Sequence, residues 1–369
     1  MARVNNLARL TAESPSSRLV IALVGPGRVG SRLLTRLVDR PDGWQLCALA
    51  NSSIMVMADK TESGLHPVRW PPGPSHQTAR SDLEQLTRTL NERNAIRKVV
   101  VDATASEQVA GHHALWLEAG IDVVTANKWA LAAPMTSHRR LVRACKRSGA
   151  LYECAATVGA GLPVIDTIRR LRLAGESIHE IKGSMSGTMT SLTSAVNSGQ
   201  SPSAALTQAH AQGLTEPDPR HDLDGIDVAR KLVILAREAR LALNIDDVHI
   251  ESLVPPMLAG ADLNTFLKAG AVVDEYWQHR VDQAPGRGKA LCFIGRVDSR
   301  GRARVGLEKV SQDHSFAQLT GADNRIEIRS DCYRESPLVI QGPGAGMEVT
   351  ALALWSGLQR ISEYAESDC

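Results

Sequence analysis

Residues 18–37 read RLVIALVGPGRVGSRLLTRL and set the fold of the first half of the chain. The first seven residues form an apolar run typical of a buried strand, and the amphipathic sequence at the end predicts a helix. The turn between them has the pattern G-x-G-x-x-G. Gly25 makes the turn, Gly27 lets a pyrophosphate approach the backbone and Gly30 packs the helix on the strand. A glycine-rich turn without a ligand is the alternative, but the position between strand and helix favours a dinucleotide site.

Strands and helices alternate from here to about residue 150, which predicts a doubly wound parallel sheet of the α/β class. Ligands of such sheets bind beyond the carboxyl ends of the strands, where we expect Thr104 and the pair Asn127-Lys128. No further metal-ligand residues accompany His112-His113, so this pair is interpreted as helix surface. The segment 61–80 is interpreted as a loop. The expected strands are 44–50, 97–103, 122–125 and 150–156, and the expected helices are 81–91, a helix from about 106 to 119 and a basic helix from 134 to about 148.

The second half of the chain mixes helices with further strands, so we expect an α+β lobe. Two apolar runs at 290–297 and 303–310 flank Ser299-Arg300-Gly301 and predict a hairpin. A strand at 178–185 runs into Ser186-Gly187-Thr188 and a helix. The other expected elements are a helix that begins at Leu162 or Pro163, a helix at 202–212, strands at 325–333 and 337–341, and a helix after a second glycine-rich turn at 342–350.

Residues 213–231 read GLTEPDPRHDLDGIDVARK and concentrate acidic side chains. The prolines disfavour helix before them, so 214–222 is expected to be a loop. Asp224 is expected to be the N-cap of a helix that continues to about residue 241. Asp227 and Lys231 then stand at i and i+4 on one helix face. The pair indicates either an ordinary surface ion pair or one end of a site for a small zwitterion.

The end of the second strand bears on the choice of cofactor. A protein selective for NAD is expected to place an acidic residue there for the ribose hydroxyl, but this chain has Asn51, Ser52 and Ser53. A 2′-phosphate is therefore not repelled, and Arg28 or Lys60 could pair with it. We expect NADP(H), with NAD as the alternative.

The composition argues against several classes of protein. The 42 Lys and Arg residues balance 40 Asp and Glu along the chain, so no nucleic-acid or membrane partner is expected. Six cysteines without paired spacing fit thiols of a reducing compartment rather than a disulfide or zinc framework. No apolar run reaches the roughly 18 residues of a membrane span, and no signal-peptide pattern follows the N-terminus. We expect a cytoplasmic protein with a loose N-terminal tail at 1–17.

Taken together, these motifs resemble homoserine dehydrogenase, in particular the dehydrogenase half of bifunctional aspartokinase–homoserine dehydrogenases. The resemblance covers nearly everything from Val20 to Ile361 in the same order. It is carried most specifically by 213–231 and VGAGLPVI, and further by LVGPGRVGSRLL, VDATAS, VVTANKWAL, GSMSGT and PLVIQGPGAGMEVTA. It implies a Rossmann-type dinucleotide-binding domain at 18–150, a substrate-binding and dimerisation lobe at 151–340, and a C-terminal segment at 341–369 that packs back on the first domain.

The resemblance also implies the reaction, which is NAD(P)-dependent interconversion of L-homoserine and L-aspartate 4-semialdehyde by a homodimer. A lysine can supply the proton for the aldehyde oxygen if its pKa is lowered towards neutrality, and a second lysine nearby acts in that direction. The implied reacting residues are Lys231, Lys128 and Asp227. The implied substrate residues are Glu216, Asp222, Asp227, Gly187 and Thr188, and the implied cofactor residues are Gly25, Gly27, Arg28, Val29, Gly30, Asn51, Ser52, Thr104, Ser106, Lys128, Gly344 and Glu348.

Some positions depart from the family pattern. Many members have an acidic residue, associated with a monovalent cation, three positions before the valine of VGAG, where this chain has Ala155. Main-chain carbonyls of Val158, Ala160 and Leu162 could still hold a cation. Ser53 lies where a phosphate-binding basic residue is often found, which weakens the argument for NADP.

Two other functions are compatible with parts of the sequence. A catalytically inactive dinucleotide-binding paralogue with a regulatory role would have little reason to keep the acidic residues and lysines named above. A semialdehyde dehydrogenase that acts by acyl transfer needs an activated cysteine nucleophile. Cys154 lies in a strand-like run without an evident histidine partner and is interpreted as a core residue. We therefore expect an active enzyme.

Overall fold

The computed structural model describes residues 17–39, 43–58, 64–65, 70–72, 77–282, 288–319 and 321–367. The expected N-terminal tail, apart from Ser17, and Lys60 lie outside the described residues. Within these ranges the chain forms two β-sheets with helices packed around them. None of the described helices is long and apolar enough to cross a bilayer.

The first sheet contains seven strands from the first half of the chain. They are β1 Ser17–Val24, β2 Trp44–Ala50, β3 Ile54–Met57, β4 Ala79–Arg80, β5 Ala95–Asp102, β6 Asp122–Thr125 and β7 Tyr152–Glu153. Their order is β4-β3-β2-β1-β5-β6-β7, and the strands from β2 to β7 in that order run parallel. The predicted parallel sheet is confirmed, and β3 and β4 add antiparallel strands at one edge.

Two predictions for this sheet, one of a loop and one of a strand, were wrong in detail. The segment interpreted as a loop ends in β4, whose Ala79 pairs with Met55 of β3. The strand expected at 150–156 is only the two-residue β7, and Ala155–Thr157 form a 3₁₀ turn. The turn forms because the amide and hydroxyl of Thr157 both donate to the Cys154 carbonyl oxygen, at 3.0 and 2.7 Å.

Six helices from the first half of the chain flank this sheet. The short helix Trp129–Ala132 was not predicted, and the other five lie close to the predicted positions. The helix expected from about 106 to 119 is divided at His112, whose amide donates to the Val109 carbonyl in the tighter i→i−3 pattern. The helices are α1 Arg28–Asp39, α2 Leu83–Asn91, α3 Glu107–Gly111, α4 His113–Glu118, α5 Trp129–Ala132 and α6 Met135–Ser148.

The sheet is buried on both faces, which explains why its strands read as continuous apolar runs. Side chains alternate along β1, so that Ile21 and Leu23 face the layer of α1 while Val20 and Val24 face the layer of α2, α4 and α6. All four side chains are at most 2% exposed. The central strand therefore holds the glycine turn at its end in a rigid position.

The second sheet has six strands in the order β13-β12-β8-β10-β11-β9, where the labels follow the chain. All pairs are antiparallel except β11 with β9, and the predicted hairpin of β10 and β11 is confirmed. The strands are β8 Ile178–Ser184, β9 Val248–Ile250, β10 Lys289–Asp298, β11 Ala303–Ser311, β12 Asp323–Ser330 and β13 Leu338–Pro343.

The helices of the second lobe include one that the sequence did not predict within 213–231. Arg220–Leu223 form a short helix because Pro219 starts it with φ −64° and Asp218 accepts a hydrogen bond from the Arg220 amide. The helices of this lobe are α7 Val164–Leu173, α8 Gly187–Asn197, α9 Pro202–Ala211, α10 Arg220–Leu223, α11 Ile226–Glu238, α12 Leu263–Lys268 and α13 Gly270–Asp282, and the C-terminal segment adds α14 Met347–Ser367.

The start of α11 also differs from the prediction. Gly225, with φ +74°, is its N-cap, and Asp224 instead closes α10. Asp224 still bonds the Ile226 amide through Oδ1 at 2.8 Å. A Cβ on Gly225 would meet Phe293 Cζ at 3.2 Å, so both the backbone conformation and the packing favour glycine.

The last helix, α14, returns to the first sheet. Leu354, Trp355 and Leu358 pack in the same apolar cluster as α1 and β1. At Gly357 the helix approaches β6 so closely that a Cβ would lie 2.9 Å from Val124 Cγ1. The C-terminal segment therefore ties the second sheet, through β13, to the first.

Leu358→Ala should lower the apparent free energy of unfolding by about 2–5 kcal/mol, because Leu358 is 1% exposed and its removal leaves a cavity under α14. Urea unfolding followed by circular dichroism measures this. Leu352→Ala on the same helix is the control, since Leu352 is 46% exposed and should cost less than about 0.5 kcal/mol. Equal losses would contradict the packing of α14 described above.

Candidate active site

The turn between β1 and α1 has the geometry that a close ligand approach requires. Gly25 has φ +90°, and a Cβ there would lie 2.6 Å from Thr104 Cγ2. A Cβ on Gly30 would overlap the Gly25 carbonyl oxygen, whereas a Cβ on Gly27 would meet nothing within 4 Å. The turn therefore needs two of its glycines for packing and leaves the third open to a ligand at the helix N-terminus.

A cleft of about 760 Å³ opens beyond the carboxyl ends of β1, β2 and β5. The glycine turn, Asn51, Ser52 and residues 103–106 line it, and its size suits a bound cofactor. Asp82 and Glu84 at the start of α2 also line the cleft, which the sequence did not indicate. They arrive there because β3 and β4 extend the sheet, and those strands were not predicted.

Buried Asp102, at the end of β5, organises polar side chains beside the cleft. Its Oδ1 accepts hydrogen bonds from the Thr104 amide at 2.8 Å and hydroxyl at 2.7 Å. Its Oδ2 accepts one from Asn127 Nδ2 at 2.9 Å and lies 2.9 Å from His113 Nε2. His113 Nδ1 lies 2.9 Å from the Tyr152 hydroxyl. Such a satisfied buried network fixes the positions of Thr104 and Asn127.

The interpretation of His113 as helix surface is wrong, because His113 and Asp102 are both 0% exposed. The break at His112 turns the second histidine of the pair towards the sheet, while His112 lies at the cleft. The carboxyl-terminal Asp of the apolar run VVVD was the one signal that could have indicated this network, since a buried carboxylate needs donors.

Asn127 also fixes the turn that presents Lys128. Its Nδ2 donates to the Ser106 carbonyl at 2.8 Å, and its Oδ1 accepts from the Trp129 amide at 3.0 Å. From this turn Lys128 reaches α11, where its Nζ lies 3.4 Å from Asp227 Oδ1. The first lobe therefore contacts the 213–231 stretch through a lysine at a strand end.

The Asp227 carboxylate lies between two ammonium groups. Lys231 Nζ is 2.8 Å from Asp227 Oδ2 and donates to the Met185 carbonyl at 2.7 Å. The Lys231 side chain is only 11% exposed, so it does not point to bulk solvent. Burial raises the pKa of Asp227, but the charges of Lys231 and Lys128 outweigh it and hold that pKa well below its usual range.

Glu216 and Asp222 lie beside this group, on the segment 214–222, which we call the acidic loop although its last residues belong to α10. The Glu216 amide donates to Asp222 Oδ2 at 2.8 Å. Burial raises the pKa of Asp222, and the nearby charges of Glu216 and Asp227 add to the effect. Thr188 Oγ1 donates to the Leu214 carbonyl at 2.8 Å, which places the start of α8 against the same loop.

The other two acidic side chains of 213–231 have structural roles. Asp218 accepts from Arg220 Nε at 2.9 Å and Nη2 at 2.6 Å, a two-pronged pair that leaves it little capacity for a ligand. Asp224 holds the Ile226 amide as described above. The resemblance already left these two out of the implied substrate residues.

Residues of the C-terminal segment and of α8 are placed by close backbone approaches. A Cβ on Gly187 would lie 2.9 Å from Ala322 Cβ, and one on Gly344 would overlap the side chain of Asn324. The side-chain amide of Asn324 is buried, and neither its Nδ2 nor its Oδ1 has a hydrogen-bond partner among the described residues. Glu348 forms ion pairs with α1, at 3.1 Å to Arg32 Nε and 3.4 Å to Arg36 Nη2.

The loop at 158–162 does not fit a cation well. The Leu162 carbonyl already accepts from the Val164 amide at 2.8 Å. The nearby carboxylate of Glu153 pairs with Arg360 Nη1 at 3.0 Å, and the same guanidinium pairs with Asp166 at 3.1 Å. An arginine thus supplies positive charge beside this loop. No cluster of three or more His, Cys, Asp or Glu suited to a metal occurs among the described residues.

Cys154 is a core residue. It is 0% exposed, and burial raises the pKa of its thiol to about 12. Its Sγ accepts a hydrogen bond from Arg169 Nη2 at 3.1 Å, and Arg169 forms an ion pair with Glu238. A thiol held in the protonated form is a poor nucleophile, which argues against acyl-transfer chemistry at this residue.

The fold and the cleft together define a two-lobed protein of the dinucleotide-binding class. A family model described as "Homoserine dehydrogenase, NAD binding domain" matches residues 25–154, and one described as "Homoserine dehydrogenase" matches residues 163–358. The chain therefore belongs to the homoserine dehydrogenase family.

Individual relatives agree with this assignment. A homoserine dehydrogenase of Paracoccidioides brasiliensis is 34% identical over 365 residues, which cover 94% of this chain and 98% of that protein. The bifunctional aspartokinase/homoserine dehydrogenase 2 of Zea mays is 35% identical over 94% of this chain, which spans 39% of that relative's length. The crystal structure of a Candida auris protein of unknown function superposes with a TM-score of 0.86 at 32% identity. The match covers 94% of this chain and 99% of that one. An archaeal homoserine dehydrogenase in complex with NADPH shares the fold, with a TM-score of 0.70 at 20% identity. The match covers 94% of this chain and 98% of that one.

Asp227→Asn should reduce stability more at neutral than at acidic pH. A carboxyl whose folded pKa is depressed contributes stability above its unfolded pKa of about 3.9 and loses it as the pH falls below that value. Urea midpoints of wild type and variant between pH 7 and pH 3 test this, and the gap should narrow below about pH 4. Asp313→Asn, on an exposed loop, is the control. A gap that does not change with pH would contradict the charge arrangement.

Proposed function

We propose that this chain is an active NAD(P)-dependent homoserine dehydrogenase that interconverts L-homoserine and L-aspartate 4-semialdehyde. The observation that carries the proposal is the convergence of Lys128, Asp227 and Lys231 where the dinucleotide lobe meets α11. A regulatory paralogue without turnover would not need a semi-buried lysine held by two acceptors at this junction.

Lys231 is the proposed proton donor to the substrate oxygen in the reductive direction. An ammonium group has three hydrogens, and Lys231 directs two of them to Met185 O and Asp227 Oδ2. The third remains for the oxygen of the aldehyde, whose developing negative charge Lys128 also stabilises. The nicotinamide supplies the hydride, and the protein positions and polarises the substrate.

The acidic loop is the proposed site for the substrate ammonium. Glu216 and Asp222 bring carboxylates next to Asp227, and Asp227 is already neutralised by two lysines. The substrate carboxylate would bind at the N-terminus of α8, where Gly187 and Thr188 present backbone amides and the helix dipole favours an anion.

The proposed cofactor residues are those of the β1–α1 turn, with Asn51, Ser52, Thr104 and Ser106 from the cleft lining. Gly344 and Glu348 would contribute from the C-terminal segment. We favour NADP(H) because β2 ends without a carboxylate and Arg28 is exposed at the start of α1. Asp82 and Glu84 in the same cleft oppose a 2′-phosphate, so their charges are part of the test below.

The remaining parts of the proposal concern organisation. We propose domains at 18–150 and 151–340, with 341–369 docked on the first, a cytoplasmic location and a homodimer formed through the second lobe. Val339 on β13 is 46% exposed, which supports a contact there. We do not propose the carbonyls of Val158, Ala160 and Leu162 as cation ligands, because Leu162 O already accepts a hydrogen bond and Arg360 supplies positive charge beside the loop. No step of the mechanism depends on a cation.

Lys231→Met should lower kcat for homoserine oxidation by roughly 10²–10⁴-fold, because the variant keeps the length of the side chain but cannot transfer a proton. Homoserine-dependent reduction of NADP+ and NAD+ measures this. Lys309→Met, at an exposed position of β11, should retain wild-type turnover. Normal turnover in Lys231→Met would contradict the proton-transfer role, and an inactive wild type with both cofactors would favour the regulatory paralogue.

The ratio of kcat/KM for NADP+ to that for NAD+ should exceed one in the wild type. Arg28→Gln should lower the ratio by removing a positive charge, and Glu84→Gln should raise it by removing a negative one, each by on the order of several-fold for exposed charges. Steady-state kinetics at low ionic strength measure both. Equal wild-type values for the two cofactors would leave the preference for NADP unsupported.

A further inference from the structure

A second cavity, of about 380 Å³, lies between the two lobes and shares no described lining residue with the cofactor cleft. Its walls come from α3, α4, α5 and α6 of the first lobe and from α11 of the second. The lining is mainly apolar and includes Ala110, Ala114 and Leu141. A Cβ on Gly111 would meet nothing within 4 Å, which agrees with open space at that wall.

The cavity contains one arginine that forms no ion pair with the described residues. Of its two arginines, Arg140 is held by Glu118 through two hydrogen bonds of 2.8 Å. Arg230 instead lies over the indole of Trp129, with Cζ 3.9 Å from the ring centroid. Among the described residues no carboxylate forms an ion pair with Arg230, although Glu107 also lines the cavity. Arg230 does interact electrostatically with Asp224, whose pKa burial raises and the charge of Arg230 lowers.

A guanidinium that stacks on an aromatic ring keeps the N–H donors at its edge available for a further partner. Two parallel N–H donors in this arrangement match a carboxylate, and the apolar wall beside them matches a small hydrocarbon body. We propose that this cavity is a binding site for a small apolar carboxylate, whose charge pairs with Arg230 and whose hydrocarbon part packs between Ala114 and Trp129.

The position of the cavity connects it with the reacting lysines. Trp129 directly follows Lys128 in the chain, and Arg230 directly precedes Lys231. An occupant between α5 and α11 would therefore contact the two helices that hold Lys128 Nζ and Asp227 Oδ1 3.4 Å apart. Binding is expected to change turnover, and this second part rests on the proposed function.

Binding can be measured without turnover, because Trp129 lies in the cavity wall. Titration of the full chain with 4-methylpentanoate should give a saturable change in tryptophan fluorescence, which Trp129→Phe should abolish. The neutral 4-methylpentanamide has the same body without the charge and should bind on the order of tenfold more weakly. The absence of a saturable change at up to tens of millimolar, or equal binding of acid and amide, would overturn the proposal.

Three variants test the contacts. Ala114→Leu fills the cavity and should abolish binding, and Arg230→Gln should weaken it on the order of tenfold. Glu107→Gln is the matched control, since it removes a charge of opposite sign from the same lining and should leave binding equal or tighter. Equal weakening by Arg230→Gln and Glu107→Gln would overturn the assignment of the carboxylate to Arg230.

The effect on turnover is tested with the same probe. Saturating 4-methylpentanoate should change kcat or KM for homoserine at least about twofold in the wild type but not in Ala114→Leu. An equal effect in both proteins, or none in the wild type, would overturn the coupling. If the wild type shows no turnover at all, the proposed function fails, whereas the fluorescence titration still decides whether the cavity binds the carboxylate.

Discussion

The bridge of Lys128, Asp227 and Lys231 is the interaction on which the rest of the structure depends. Lys128 comes from a strand end of the first sheet, and the other two residues come from one face of α11 in the second lobe. A carboxylate between two ammonium groups is stable in its ionised form and holds both lysines in a restricted geometry. The bridge therefore joins the two lobes at the point where a cofactor in the cleft and a substrate on the acidic loop would meet.

Most other features position one side of this bridge. Asp102, Asn127 and their buried partners fix the turn before Lys128. On the other side, the Gly225 turn and the pair of Asp218 with Arg220 fix the entry to α11. Because α14 follows β13 of the second sheet and packs on the first, the lobes are also connected away from the bridge. The site is thus built from short-range contacts that rigid elements carry to one place.

The sequence predicted the parts of this arrangement that depend on local pattern. The glycine turn, the parallel sheet and the i,i+4 relation of Asp227 and Lys231 follow from spacing alone, and the structure contains all three. What the sequence could not predict depends on tertiary contacts. The burial of His113 requires Asp102 and Tyr152, which are 11 and 39 residues away. Short strands such as β3 and β4 form because they pair with neighbouring strands, so their own sequences predict them only weakly.

The central claim is that Lys128 and Asp227 act as one unit across the lobe junction. A double-mutant cycle on kcat/KM for homoserine, with Lys128→Met, Asp227→Asn and the double variant, tests it most directly. If the two residues act as a unit, the double variant should lose little more activity than the more impaired single variant. If the two losses multiply, the residues act independently, and the account of a shared charge bridge is contradicted.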